Sequence, residues 1–177
     1  MCERCGWSTS NERMTRYHDE EWGVPLHDDL KLFEFFVLEG FQAGLSWQIV
    51  LNKREAFREA FDQFDPEKVA KYDEAKIAAL GENPAIIRNK AKIAACVNNA
   101  QRFLEVQKEF GSFDHYIWKF VDYKPIVNRY TKLSELPAKT PLSDAISADL
   151  KKRGFKFVGS TVIYAHLQAT GMVNDHL

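Results

Sequence analysis

Helix start and stop signals recur at short intervals along this chain, while the two-residue alternation of a half-buried strand is almost absent. That combination restricts the fold to packed helices. Apolar residues at helical spacing predict helices over 28–39, 47–61, 66–71, 73–80, 89–110 and 112–120. Asp65-Pro66 and Asn83-Pro84 read as starts, and Gly40, Gly81 and Gly111 as stops. Further on, Thr140 supplies an N-cap and Pro141 the first helical position, with Leu142, Ala145, Ile146 and Leu150 recurring behind them. A last helix over 160–170 stops at Gly171. The segment 136–141 is the best linker candidate, but composition does not shift across it. A chain of 177 residues, 45% hydrophobic, is therefore expected to form one all-α domain spanning 1–177.

Between the last two helices lies Lys151-Lys152-Arg153-Gly154-Phe155-Lys156-Phe157-Val158-Gly159-Ser160-Thr161, an apolar turn bracketed by glycines and flanked by basic side chains. It reads as a helix-hairpin-helix at about 142–170 that would clamp a DNA backbone. Gly154 can take a conformation closed to other residues. Gly159 has no side chain, so a phosphate can approach the amides of Ser160 and Thr161 at a helix start, with Lys156 beside it. Such a contact senses shape and charge and does not read bases. An ordinary turn between packed helices with a solvated basic flank is the alternative.

Charge narrows the partners. Twenty-four Lys and Arg against 25 Asp and Glu leave a net charge of -1, so a polybasic coat is excluded and any nucleic-acid contact is focal. No run of 18 apolar residues exists, and Glu3 and Arg4 stand where a signal peptide needs its apolar core. A cytoplasmic protein without a membrane partner is expected. Cys2, Cys5 and Cys96 are an odd set, which suggests thiols or metal ligation and no disulfide framework.

Cys2 and Cys5 are followed after twelve residues by His18, and His176 stands one residue from the end. Thiolates and imidazoles at that spacing suit a zinc site that would pin the two termini together. A frayed N-terminus with a surface His18 fits the spacing equally well. A second cluster surrounds Glu39, which closes an apolar run before Gly40 and the loop leading to Trp47. A carboxylate at a helix C-terminus opposes the dipole, and between Leu38 and Phe41 it loses hydration. Trp7, Tyr17, Trp22 and Trp47 all fall in the first part of the chain, and an aromatic box with a carboxylate suits a planar, electron-poor or cationic heterocycle. An exposed Glu at a helix end, and tryptophans serving as core, are the plainer readings.

Taken together, several motifs resemble one known family. Arg4-Cys5-Gly6-Trp7, Tyr17-His18-Asp19 with Glu21-Trp22-Gly23-Val24-Pro25, Leu38-Glu39-Gly40, Gln42-Ala43-Gly44-Leu45-Ser46-Trp47, Arg153 to Gly159 and Val173-Asn174-Asp175-His176 look like the 3-methyladenine DNA glycosylase I family, in order along the whole chain. The resemblance implies a bacterial base-excision repair enzyme that hydrolyses the N-glycosyl bond of 3-methyladenine in alkylated double-stranded DNA and releases the free base. It also implies a helix-hairpin-helix glycosylase fold with a zinc clip joining the N- and C-terminal segments, and one structural zinc ion held by Cys5, His18 and His176. The family's further cysteine lies just beyond the last His, past the last residue here, so either a residue of a missing tail or Cys2 is the fourth ligand. Glu39 and Tyr17 carry over as the hydrogen-bonding groups of the base pocket, Glu39 being the principal catalytic group, and Trp47 as the stacking platform. Trp7 and Trp22 become pocket walls, and Leu45 a wedge near the vacated base stack. Asp175 lies near the position of an Asp that many wider relatives use as a base, but it stands beside His176, which argues against that role. A monomer is expected. The rival classes are a non-catalytic helix-hairpin-helix module that only grips DNA and a zinc-stabilised interaction domain.

Overall fold

A computed structural model describes residues 5–9, 11–42, 45–130 and 133–175. It is mostly helical. In chain order the helices are α1 (Glu12–Glu20), α2 (Asp29–Gln42), α3 (Trp47–Asn52), α4 (Arg54–Ala60), α5 (Pro66–Val69), α6 (Glu74–Leu80), α7 (Lys90–Phe110), α8 (Phe113–Trp118), α9 (Pro141–Lys152) and α10 (Ser160–Ala169). Two short strands, β1 (Ile126–Val127) and β2 (Val173–Asn174), pair in parallel.

Short polar side chains start most of these helices. Asn11, Asp73, Asn89 and Ser112 each accept from a backbone N–H of the first turn, and Thr140 forms a reciprocal capping box with Ser143. The main core gathers around α2, which packs against α3, α7, α8 and α10. From Leu32 to Glu39 every residue of α2 is buried. A helix enclosed on all sides is expected to be apolar all round, yet this one carries Glu34 and Glu39 inside with it. A second, smaller apolar cluster joins Cys5, Met14, Tyr17, Trp22, Phe35, Leu51 and Ala169. Leu26 and Trp47 touch both clusters.

Several boundaries differ from the sequence expectation. The helix α2 passes through Gly40 and ends after Gln42, because a glycine without a positive φ does not reverse the chain. The segment 47–61 is broken at Lys53 (φ -99°, ψ 3°) into α3 and α4. Asn83-Pro84 begins no helix; Asn83 Oδ1 accepts from Ala85 N at 2.9 Å in a local turn, and α7 starts later from Asn89. The helix α1 was not anticipated, although it carries both Tyr17 and His18.

The chain segments near the two ends meet. Gly23 N donates to Gln168 O and Leu26 N to Thr170 O, both at 2.9 Å. Gly171 has φ +76°, and a Cβ there would fall 2.3 Å from the backbone of Val24 and Pro25. Glycine at this position therefore allows the α1–α2 connection to lie against the end of α10. No described helix is long and apolar enough to cross a membrane.

Candidate active site

The cap of α1 and the burial of α2 bring five sequence candidates to one cavity. Trp7, Tyr17, Trp22, Glu39 and Trp47 line a space of about 330 Å³, together with Gln42, Leu136, Pro137, Ala165 and Gln168. Asn11 accepts from Met14 N at 2.8 Å and starts α1, so that Met14 and Tyr17 face inward. Ser46 starts α3 and sets Trp47 at the opposite wall. The rings pack edge to face or tilted: Trp7 to Trp22 at 5.2 Å and 79°, and Tyr17 to Trp47 at 5.4 Å and 44°. Such contacts hold the walls without filling the space between them. The indole Nε1 of Trp47 is buried and meets no acceptor among the described residues.

Glu39 is only 4% exposed, so it is no solvated helix end. No cation or hydrogen-bond donor among the described residues reaches its carboxyl, and burial alone pushes its pKa up to about 8. The Tyr17 hydroxyl, equally enclosed, is raised well above its ordinary value by burial first and by the nearby Glu39 and Glu21 charges second. Enclosed in this way, Glu39 is held largely protonated near neutral pH. A cation placed between the rings would favour the ionised form.

A second cavity of about 380 Å³ shares Glu39, Gln42, Pro137, Ala165 and Gln168 with the first and extends to Leu45, Thr161 and Tyr164. The aromatic box is thus continuous with the start of α10. Leu45 is 37% exposed at its rim. Gly44, which precedes it, lies outside the described residues.

The turn between α9 and α10 is held from behind. Asn99 on α7 donates to Lys156 O and accepts from Lys156 N, both at 2.8 Å, and Asn98 donates to Gly154 O at 2.8 Å. Ser147 donates to Val158 O at 2.5 Å. Gly154 has φ +94°, and Phe157 is forced to φ +58° with its ring exposed. Gly159 stands at the start of α10, where an added Cβ would meet nothing within 4 Å; packing inside the protein does not explain its missing side chain. Lys156 and Thr161 are exposed, and the Ser160 hydroxyl pairs with that of Ser143 at 2.7 Å. Not every basic residue faces outward, since Arg153 is committed to Glu109 at 2.6 Å and to Asp149 at 2.9 Å.

Of the candidate metal ligands, Cys5 is fully buried and in no disulfide, and His18 is buried on α1. His18 Nδ1 contacts Asp19 Oδ1 at 2.9 Å, a partner that orients the imidazole. Cys2 and His176 lie outside the described residues, and among the described residues no three His, Cys, Asp or Glu side chains converge as a metal group. The donor types that are described fit zinc. Asp175 is fully buried and accepts from Tyr164, from Gln168 at 2.9 Å and from Asn128 at 2.6 Å. A carboxylate engaged by three donors is a structural hub.

Sequence reasoning did not single out Gln168, Ala165, Leu136 or Pro137. Leu136 and Pro137 fall in the segment expected to be a linker, yet they form a wall of the box. No local signal marks them. Gln168 sits one turn of α10 beyond Tyr164, and helical spacing from the hairpin would have placed both on one face.

The methyladenine glycosylase family pattern matches residues 7–177. A protein named DNA-3-methyladenine glycosylase 1, from Escherichia coli (strain K12), is 50% identical over 175 residues, covering 99% of this chain and 94% of its own. A DNA-3-methyladenine glycosylase from Haemophilus influenzae is also 50% identical, covering 100% of this chain and 96% of its own. Among solved structures, a crystal structure of 3-methyladenine DNA glycosylase I superposes with a TM-score of 0.96 at 47% identity, covering 99% of this chain and 96% of that one. A glycosylase of the same name from Staphylococcus aureus, solved to explain its recognition of 3-methyladenine, gives a TM-score of 0.95 at 38% identity over 98% of this chain and 93% of that one.

Proposed function

The chain belongs to the methyladenine glycosylase family, and from that membership together with the pocket we infer that it is a DNA-3-methyladenine glycosylase of base-excision repair. The observation that carries the reading is Glu39, buried without a cation inside an aromatic box. A module that only grips DNA has no use for a carboxyl in such a place.

Methylation at N3 gives the adenine of DNA a positive charge and weakens its bond to deoxyribose. The damaged nucleotide rotates out of the duplex, at a cost of roughly a few kcal/mol that a poorly paired base reduces. Trp47 stacks on the base, Trp7 and Trp22 close the sides, and Tyr17 hydrogen-bonds a ring nitrogen. Glu39 accepts from the exocyclic amine. The cationic base draws Glu39 into its ionised form, so binding releases a proton, whereas neutral adenine supplies no such charge. Selection for damage therefore resides in the coupling of base charge to carboxyl ionisation. As the C1′–N bond breaks, its electron pair passes to the base and neutralises it, water oxygen bonds to C1′ and loses a proton, and neutral 3-methyladenine leaves. Glu39 contributes by electrostatic stabilisation and positioning.

The hairpin between α9 and α10 grips the duplex through backbone amides near Gly159, with Ser160, Thr161, Lys156 and the turn at Gly154, and Leu45 occupies the stack the base has left. The empty space in front of Gly159 supports this reading. Gly159→Asp places a carboxylate there and should weaken binding to damaged and undamaged duplex alike, with the salt slope reduced by about one. Titrations at several salt concentrations check it, and full duplex affinity in the variant would move the clamp elsewhere.

Zinc bound by Cys5, His18 and His176, with Cys2 as a further donor, would clip the two ends of the chain. The paired main chains at Gly23, Leu26, Gln168 and Thr170 support such closeness. The ion would supply folding energy and no chemistry. Metal analysis of chelator-free protein should find one zinc, and Cys5→Ser should lower thermal stability far more than excision by the folded fraction.

The direct test of the activity is chromatography of bases released from alkylated DNA. A 3-methyladenine peak is expected with wild-type protein and a much smaller one with Glu39→Ala. Folded wild-type protein that releases no base would overturn the reading.

A further inference from the structure

We propose that Gln168 determines specificity in the base pocket, its amide oxygen accepting an N–H of the exocyclic amine and so selecting an amino over an oxo group at that position of the base. The inference rests on the base-excision reading above and adds to it a residue that the pocket's carboxyl and rings do not account for.

An exocyclic amine carries two N–H groups. Glu39 takes one, and in an enclosed site the other needs its own acceptor or is left unsatisfied at the cost of its hydration. Gln168 lines both of the connected cavities, as Glu39 does. Its amide could in principle turn either end toward the base. Asp175 removes that freedom. Fully buried, it offers Oδ1 to Asn128 at 2.6 Å and Oδ2 to both Tyr164 and Gln168, the last at 2.9 Å. With three donors on two oxygens, Asp175 acts as an acceptor, so Gln168 must present its NH2 to it. The amide oxygen is then the polar atom that points away from Asp175, on a side chain that lines the cavity holding Glu39. The main chain is fixed as well, because Gly23 N and Gly171 N both donate to Gln168 O.

A base with an oxo group in place of the amine would set two lone pairs against each other at this oxygen. The rejection does not depend on the charge that methylation brings, and so it is separate from the coupling assigned to Glu39.

The test compares binding of free 3-methyladenine and free 3-methylhypoxanthine, which exchange amine for oxo at the position in question, by quenching of tryptophan fluorescence. The wild-type protein should prefer 3-methyladenine. Gln168→Met should lower its affinity for 3-methyladenine about three- to tenfold, the range of one neutral hydrogen bond, and leave 3-methylhypoxanthine unchanged or tighter. Gln168→Asn keeps the amide but withdraws it by one methylene, and should show the same collapse of preference in a side chain that still reaches toward polar neighbours. Equal loss of both bases, or an unchanged preference in both variants, would overturn the proposal. Failure of the wild-type protein to bind 3-methyladenine at all would instead remove the base-excision reading, and this inference with it.

Discussion

Glu34 and Glu39 stand little more than one helical turn apart on α2, and they are buried to the same degree, at 5% and 4% exposure. Their surroundings differ in one respect. Glu34 Oε1 accepts from Arg54 Nε at 3.0 Å and Arg58 Nε at 2.6 Å, and Arg54 also reaches Glu21 at 2.8 Å. Burial alone would raise the Glu34 pKa, but the two guanidinium groups outweigh it and the net shift is downward. Glu39 has burial without the cations and is raised to about 8. The same residue type at the same depth on the same helix is thus a fixed anion in one place and a poised acid in the other. What separates them is whether α4 supplies a cation, and that is decided by tertiary packing.

The largest effect should come from breaking the paired end. Arg54→Met leaves the buried Glu34 and the half-buried Glu21 facing an apolar side chain, and the loss should be about 3 kcal/mol, toward the low end for a buried pair because Arg58 still holds Glu34. Urea denaturation checks it. A change of a few tenths would mean that water reaches Glu34 freely and that the contrast between the two carboxyls is smaller than their burial suggests.

The unpaired end should respond in the opposite sense. Glu39→Gln removes a carboxyl whose charge nothing balances once it ionises, so the fold should be kept or gain stability at alkaline pH, while affinity for free 3-methyladenine, a neutral base, falls by roughly 0.5 to 1.5 kcal/mol, the worth of a neutral hydrogen bond. The pH profile separates the two effects. Between the ordinary carboxyl value of 4.5 and about 8, folded Glu39 keeps a proton that the unfolded chain has lost. Raising the pH through that window therefore favours unfolding, by at most about 1.4 kcal/mol per pH unit for one proton. His166 is buried with both ring nitrogens unpartnered among the described residues, and its pKa is held down from 6.5 to about 4. It binds a proton only on unfolding in that range, so it makes stability rise with pH there. The fall due to Glu39 is accordingly cleanest from about 6.5 to 8, and it should be absent from Glu39→Gln. A variant with the wild-type slope would place the titrating group elsewhere.

This contrast also marks how far the sequence could be read. Most helix starts were legible because Asp65, Asp73, Asn89, Ser112 and Thr140 act on the first turn that follows them, whereas Asn83-Pro84 begins no helix and the Asn11 start of α1 was not anticipated. Stops were less so. Gly111 and Gly171 adopt positive φ and end their helices, while Gly40 lies inside α2, because a glycine stops a helix only where the surrounding packing makes the chain turn. The candidates Glu39, Tyr17, Trp7, Trp22 and Trp47 could be named from composition and motif, and the structure brings them to one cavity. Nothing in the sequence distinguishes Glu39 from Glu34 as the unpaired one. Nor does it show that Leu136 and Pro137, in a stretch that reads as a connection, return to close the box. Both facts depend on which distant segment arrives at a given face, and helical periodicity carries no information about that.

The smallest effect expected is also the one that isolates burial from charge. Arg58 contacts the same Glu34 oxygen as Arg54 and at a shorter distance, 2.6 against 3.0 Å. Distance alone would make Arg58 the more important partner. Its side chain, however, is 27% exposed against 9% for Arg54, and its second partner, Glu55, is 81% exposed. When Arg58 is removed, water can enter the space that it leaves, and Glu34 retains the buried hydrogen bond from Arg54. Arg58→Ala should therefore cost only about 0.5 to 1 kcal/mol, and the cost should shrink as salt is added, as expected for a partly solvated pair. Urea denaturation of Arg58→Ala and Arg54→Met at low and high salt gives the comparison. If Arg58→Ala proved as damaging as Arg54→Met and insensitive to salt, contact distance would outrank burial in fixing the Glu34 charge, and the contrast with Glu39 would rest on the number of cations within reach and not on their shielding from water.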